Sequence, residues 1–169
     1  MDNRLYADVG INAHSVSDHT QSNWNGIIGD MKLSAKPSLY IGSVRIYPDI
    51  QKKQALVKVQ LKGNSGKGTT TVVMQAETLE GKTVGNPVRF AVEVGEGAPA
   101  HAEATVDLGE EARLWSEHSP NVYKMKVSLE SPDGIDEASY NFGFREFKAN
   151  GTRFEVNGQP VFLRGTLEC

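Results

Sequence analysis

Tyr123-Lys124-Met125-Lys126-Val127-Ser128-Leu129 decides the fold class. Large apolar side chains occupy every second position and polar ones fill the gaps. That two-residue period belongs to a β-strand with one buried and one solvated face, because successive side chains leave a pleated backbone on opposite sides. Pro132-Asp133-Gly134 follows as a turn, and Ser139 to Phe144 reads as the next strand.

The same period recurs upstream. Ala55, Val57, Val59 and Leu61 share one face, as do Val72, Met74 and Ala76. Val88, Phe90, Val92 and Val94 form another set, and Ala102, Ala104, Val106 and Leu108 a further one. Leu39 to Tyr47 alternates over its second half, with Val44 and Ile46 together, before Pro48-Asp49 closes it. These make about seven short strands spaced about 8–15 residues apart, with no sustained helical period. One-sided antiparallel strands bury their apolar faces by packing as two sheets. The expectation is an all-β, immunoglobulin-like antiparallel sandwich over residues 37–147, without an inter-sheet disulfide because the chain has a single cysteine, Cys169.

Toward the C-terminus stands Phe142-Gly143-Phe144-Arg145-Glu146-Phe147, then Arg153-Phe154-Glu155-Val156-Asn157-Gly158-Gln159-Pro160-Val161-Phe162-Leu163-Arg164-Gly165. Phe142, Phe144 and Phe147 suit a half-buried pleated surface. Asn-Gly between two apolar runs predicts a hairpin, since both residues tolerate the positive φ of a type I′ turn. Pro160 cannot donate to a ladder and is expected on an open edge.

These segments resemble the domain junction of glycoside hydrolase family 2, the β-galactosidase, β-glucuronidase and β-mannosidase group. There an immunoglobulin-like sandwich ends at Gly-Phe-Arg, and the Asn-Gly hairpin leads into the first strand of a catalytic (β/α)8 barrel. Leu114-Trp115-Ser116-Glu117-His118-Ser119-Pro120-Asn121-Val122-Tyr123 resembles that family's Leu-Trp-Ser-Pro-Glu-x-Pro-x-Leu-Tyr segment, and Gln21 to Gly29 resembles the end of its sugar-binding jelly roll. The resemblance implies a fragment in three parts: a jelly-roll remnant over 1–36, the sandwich over 37–147, and a barrel-entry hairpin over 148–169. It also implies that the two catalytic glutamates of a retaining glycosidase lie outside this chain. The expected role is a non-catalytic structural domain that positions sugar-binding and catalytic domains for carbohydrate degradation. The alternative is a free-standing carbohydrate-binding or adhesion-type module.

Composition narrows the partners. A net charge of −3 gives no basic face for nucleic acid, and no run of about 18 apolar residues exists to span a membrane. Met1 leads straight into polar residues rather than a signal peptide, and the compartment stays open, the resemblance allowing a periplasmic or secreted parent. Expected partners are the rest of the parent enzyme and that enzyme's carbohydrate substrate, together with self-association through open strand edges.

Candidate chemistry is sparse. Gly63 to Thr69 imitates a phosphate loop, but Leu61 stands where its first glycine belongs and no helix follows. His14, Ser15, Asp18 and His19 have the residue types of a triad or metal site without its geometry. Glu110 and Glu111 are adjacent, and Asp133, Asp136 and Glu137 sit in or beside a turn, so neither group forms a facing carboxyl pair. No catalytic residue, metal ligand or cofactor is assigned. Trp24 flanked by Asn23 and Asn25 is the candidate sugar contact, Trp115 is expected to plug the sandwich edge or a domain interface, and Arg164 is a structural candidate at the barrel entry.

Overall fold

Strands supply all the regular structure of the computed structural model, which describes residues 29–63, 66–95 and 100–166. Seven build the sandwich: β1 (Leu39–Asp49), β2 (Gln54–Gly63), β3 (Gly68–Thr78), β4 (Thr83–Val94), β5 (His101–Asp107), β6 (Val122–Ser131) and β7 (Gly134–Gly143). One sheet has the order β1-β2-β5 and the other β4-β3-β6-β7, every pairing antiparallel. The immunoglobulin-like sandwich expected from the alternation is therefore the fold found. A third sheet, β10-β9-β8, follows from β8 (Phe147–Asn150), β9 (Arg153–Val156) and β10 (Gln159–Val161).

The inward faces are those the period marked. Val57, Val59 and Leu61 of the first sheet are buried in one core with Val72, Met74, Met125, Val127 and Leu129 of the second. Each such side chain contributes about 1.5–3 kcal/mol by leaving water. In β1 the buried set changes phase, from Leu39 and Ile41 to Val44 and Ile46. The β1–β2 register slips between Ile41 and Ser43, placing Gly42 as the extra residue of a bulge that resets the pleat.

Both open sides of the sandwich are closed by specific contacts. On one side β4 crosses so near the end of β5 that a Cβ on Gly85 would stand 1.7 Å from the Asp107 carbonyl oxygen. With φ at +66° besides, only glycine serves there. On the other side β7 reaches β1 through Asp136. Its carboxylate accepts both from the Lys36 ammonium, at 2.9 and 3.0 Å, and from the Ile41 backbone N–H at 2.8 Å.

Asp136 explains a departure from the sequence expectation. β7 begins at Gly134, not Ser139, because its first half inverts the usual pattern: Ile135 is 63% exposed while Asp136 is buried at 8%. Asp136 thus lies within a strand, tucked between the sheets. The link between the sandwich and the hairpin is itself a strand, β8, so the hairpin becomes a three-stranded meander. Met31-Lys32-Leu33, which alternates in sequence, forms no strand, and both Met31 and Leu33 are exposed. Ala35–Phe162 form one compact unit; the other described residues, 29–34 and 163–166, belong to a second and carry no strand.

Candidate functional site

Three segments far apart in sequence meet at one end of the sandwich. The first is the connection between β5 and β6, which carries Leu114-Trp115-Ser116. The second is Gly143-Phe144-Arg145-Glu146 at the end of β7, and the third is the Asn157-Gly158 turn between β9 and β10.

The connection is held from within. Ser116 and Ser119 exchange backbone hydrogen bonds at 3.0 and 3.2 Å, and the Asn121 side-chain amide donates to the Leu114 carbonyl at 2.9 Å. The Tyr123 hydroxyl, at the start of β6, accepts from the Arg113 N–H at 2.7 Å. A tyrosine hydroxyl bonded to upstream backbone at this place in the sheet has the geometry of the tyrosine corner of immunoglobulin-like sandwiches. Trp115 is thereby presented to β7. Its backbone N–H donates to the Phe144 carbonyl at 2.9 Å, and its side chain lies so close to Gly143 that a Cβ there would be 3.2 Å from the indole Cγ. The Arg145 guanidinium sits 4.4 Å from the indole ring centre, a cation–π contact.

Asn157 locks the hairpin to this assembly. The turn has φ of +52° at Asn157 and +77° at Gly158, as a type I′ turn requires, with Val156 facing Gln159 across it. The Asn157 backbone N–H donates to the Glu146 carbonyl, and the Glu146 N–H donates back to Asn157 Oδ1, both at 2.9 Å. Asn157 Nδ2 then donates to the Trp115 carbonyl at 2.8 Å. A single side chain therefore satisfies backbone groups on two separate segments. Asp could make the turn but has no donor for Trp115, and Gly could make it but offers neither atom. Asn157→Ala is expected to cost about 2 kcal/mol, from two lost hydrogen bonds and a left-handed backbone that alanine resists. Urea titration checks the total, and amide exchange at Glu146 should rise more than exchange in β2 or β3.

Beside the junction lies a cleft of about 900 Å³ between the β3–β4 turn and the β5–β6 connection. Glu80, Lys82, Glu110, Glu111 and Arg113 are among the residues lining it. Glu110 is ion-paired with Lys53, and the Thr78 hydroxyl holds the Glu80 carboxyl below its usual range. Among the described residues the other carboxyls with a displaced pKa also move down: Asp49, through the Lys52 backbone N–H, and Glu130, through the Arg89 guanidinium. A general acid for glycoside cleavage needs the opposite, a carboxyl kept protonated by an apolar site.

The sequence candidates fare unevenly. Trp115 is half-buried at the sandwich end, consistent with a plug. Glu110 and Glu111 lie in a turn rather than on a strand. Arg164 is exposed and outside any strand. Trp24, Asn23 and Asn25 lie outside the described residues, as do His14, Ser15, Asp18 and His19. No cluster of three or more metal-ligating side chains occurs among the described residues. Two important residues escaped sequence reasoning. Asn157 was legible as a turn former but not as a clamp. Asp136 shares the two-residue phase of Ala138 and Phe142, a signal that marks it as inward.

The chain matches the family model for glycosyl hydrolases family 2 over residues 39–145, more than half its length. It is 25% identical over 156 residues to a β-galactosidase of Aeromonas hydrophila subsp. hydrophila, an alignment covering 89% of this chain and 15% of that one. Among solved structures, Bacteroides uniformis β-glucuronidase 2 superposes with a TM-score of 0.61 at 19% identity, over 76% of this chain and 17% of that one. A glycosyl hydrolase family 2 member from Bacteroides cellulosilyticus gives 0.58 at 20% identity, over 72% and 18%. This chain thus spans about a sixth of the length of the proteins it resembles. With the family's own model running from the start of β1 to Arg145 at the junction, the chain belongs to glycosyl hydrolase family 2.

Proposed function

We propose that this chain is a non-catalytic structural sandwich of a family 2 glycoside hydrolase, holding a sugar-binding domain and a catalytic domain in fixed relation. The observation that carries this reading is the Asn157 clamp, which fastens the hairpin leaving the sandwich to both Trp115 and Glu146. A spacer must transmit position without play, because misplacing a reacting group by about 1 Å can cost on the order of 10²-fold in rate. On this reading the domain limits are a jelly-roll remnant over 1–36, the sandwich over 37–147 and the barrel entry over 148–169. The parent would be a retaining enzyme whose paired glutamates lie beyond this segment, and its sugar substrate would be bound there.

The test is direct. Purified chain incubated with nitrophenyl β-galactoside and β-glucuronide is expected to release no nitrophenol above the buffer rate. Turnover that disappears on substituting a single carboxylate of this chain would overturn the proposal.

The cleft favours a second reading, a carbohydrate-binding module, since its walls mix hydrogen-bond donors and acceptors. Calorimetry with galactose and glucuronate separates the two: a spacer gives no heat of binding, whereas a module gives heat that Arg113→Ala abolishes.

A further inference from the structure

Asn150-Gly151 and Asn157-Gly158 occupy the two tight turns of the sheet β10-β9-β8. This dipeptide carries a reaction of its own. The Asn side chain is short enough to fold onto its own backbone, which lets the following amide nitrogen attack the carboxamide carbon. Glycine after it has no Cβ to obstruct that approach. Other asparagines among the described residues are less open to it: Asn86 precedes Pro87, which has no N–H, and Asn121 precedes β-branched Val122.

The two turns hold their asparagines differently. Asn150 is exposed at the end of β8, and its Nδ2 makes one surface bond, to Glu155 Oε1 at 2.8 Å. Gly151 is exposed with φ at +59°, and its N–H meets no backbone carbonyl among the described residues. Asn157 is half-buried, and both ends of its carboxamide are committed to other segments. Oδ1 accepts from the Glu146 N–H at 2.9 Å, and Nδ2 donates to the Trp115 carbonyl at 2.8 Å. To close onto the Gly158 nitrogen, the Asn157 side chain must first release both.

We propose that Asn150 is a site of spontaneous deamidation, and that the clamp withholds Asn157 from the same reaction. The Gly151 N–H gives its proton to a solvent base as the nitrogen bonds to Asn150 Cγ. The Cγ–Nδ2 bond then breaks, and ammonia leaves with a proton from water. Water opens the resulting succinimide at either carbonyl, which leaves aspartate or isoaspartate. At Asn150 the product is one more carboxylate on an exposed turn. At Asn157 it would set a carboxylate oxygen against the Trp115 carbonyl, where a donor had been, and the clamp could not close again. Deamidation there is a one-way release of the junction, held off while the clamp is shut.

The test is peptide mapping by mass spectrometry of the chain aged at body temperature in mildly alkaline buffer, folded and in unfolding urea. In the folded chain Asn150 should convert to aspartate and isoaspartate while Asn157 stays an amide. In urea both should convert at similar rates, so that folding slows Asn157 by on the order of tenfold or more, because ring closure waits on local opening. Asn150→Gln, whose longer side chain would need a larger ring, should remove the product at that position and leave Asn157 protected. Chain aged in urea and refolded should show a lower urea midpoint when position 157 is modified than when position 150 alone is. The proposal is overturned if folded Asn150 reacts no faster than Asn157, if Asn157 reacts as fast folded as unfolded, or if it is equally slow in both. An unchanged midpoint after modification at 157 would refute the release. None of these outcomes depends on the spacer reading.

Discussion

Phe144→Ala should lower unfolding stability by about 3–5 kcal/mol, the usual cost of emptying a large aromatic site in a packed core. Phe144 is fully buried and is the largest of the wholly enclosed side chains among the described residues. It sits one residue past β7, where the sandwich hands over to the junction, and its carbonyl receives the Trp115 N–H. The cavity would therefore open directly beneath that hydrogen bond. Urea titration should show a lower midpoint with an unchanged slope, the sign of lost stability without a change in the surface exposed on unfolding. Phe144→Leu should recover more than half the loss. A cost under about 1 kcal/mol would show that the neighbouring loop can collapse into the space, against the packing described.

Asp136→Ala should cost about 3 kcal/mol. The substitution removes the acceptor for the Ile41 N–H, which points off the edge of β1 and has no ladder partner on that side. It also strands the Lys36 ammonium. The ion pair itself is worth less than the backbone bond, because the Lys36 side chain is 40% exposed and water screens it. Asp136→Asn should thus lose only part of the stability, keeping an oxygen for Ile41 while giving up the charge. Amide exchange checks the assignment: the Ile41 N–H should exchange much faster in Asp136→Ala than in Asp136→Asn, while protection in β3 changes only with global stability. Equal exchange in the two variants would refute the account.

Strand reading from alternation succeeded wherever one face was uniformly apolar. β2, β3 and β6 show their inward residues directly, since a sheet with a single buried face must repeat every two residues. It failed where a strand reversed that logic. Ile135 points outward and Asp136 inward because the position closes a sandwich edge and needs an acceptor more than it needs apolar area. β8 was passed over because its four residues hold a single large apolar side chain, Phe147, so their alternation is too brief to stand out. Met31 and Leu33 alternate but find no partner strand, and alternation without a ladder does not make a strand.

The junction divides the same way. Asn157-Gly158 announces its turn locally, through the φ values its two residues tolerate. The partners of the Asn157 side chain are 11 and 42 positions away, and no local pattern can reveal them.

Sequence alone, then, determined the all-β class, the inward faces, the Asn-Gly turn and the family resemblance, because each depends on short-range periodicity, backbone preference or a short motif. Tertiary structure alone decided which strands share a sheet, that β4 pairs with β3, that Asp136 closes one edge, and that Trp115, Glu146 and Asn157 form one clamp. Those outcomes depend on hydrogen bonds between groups distant along the chain, which acquire partners only when the two sheets close on a common core.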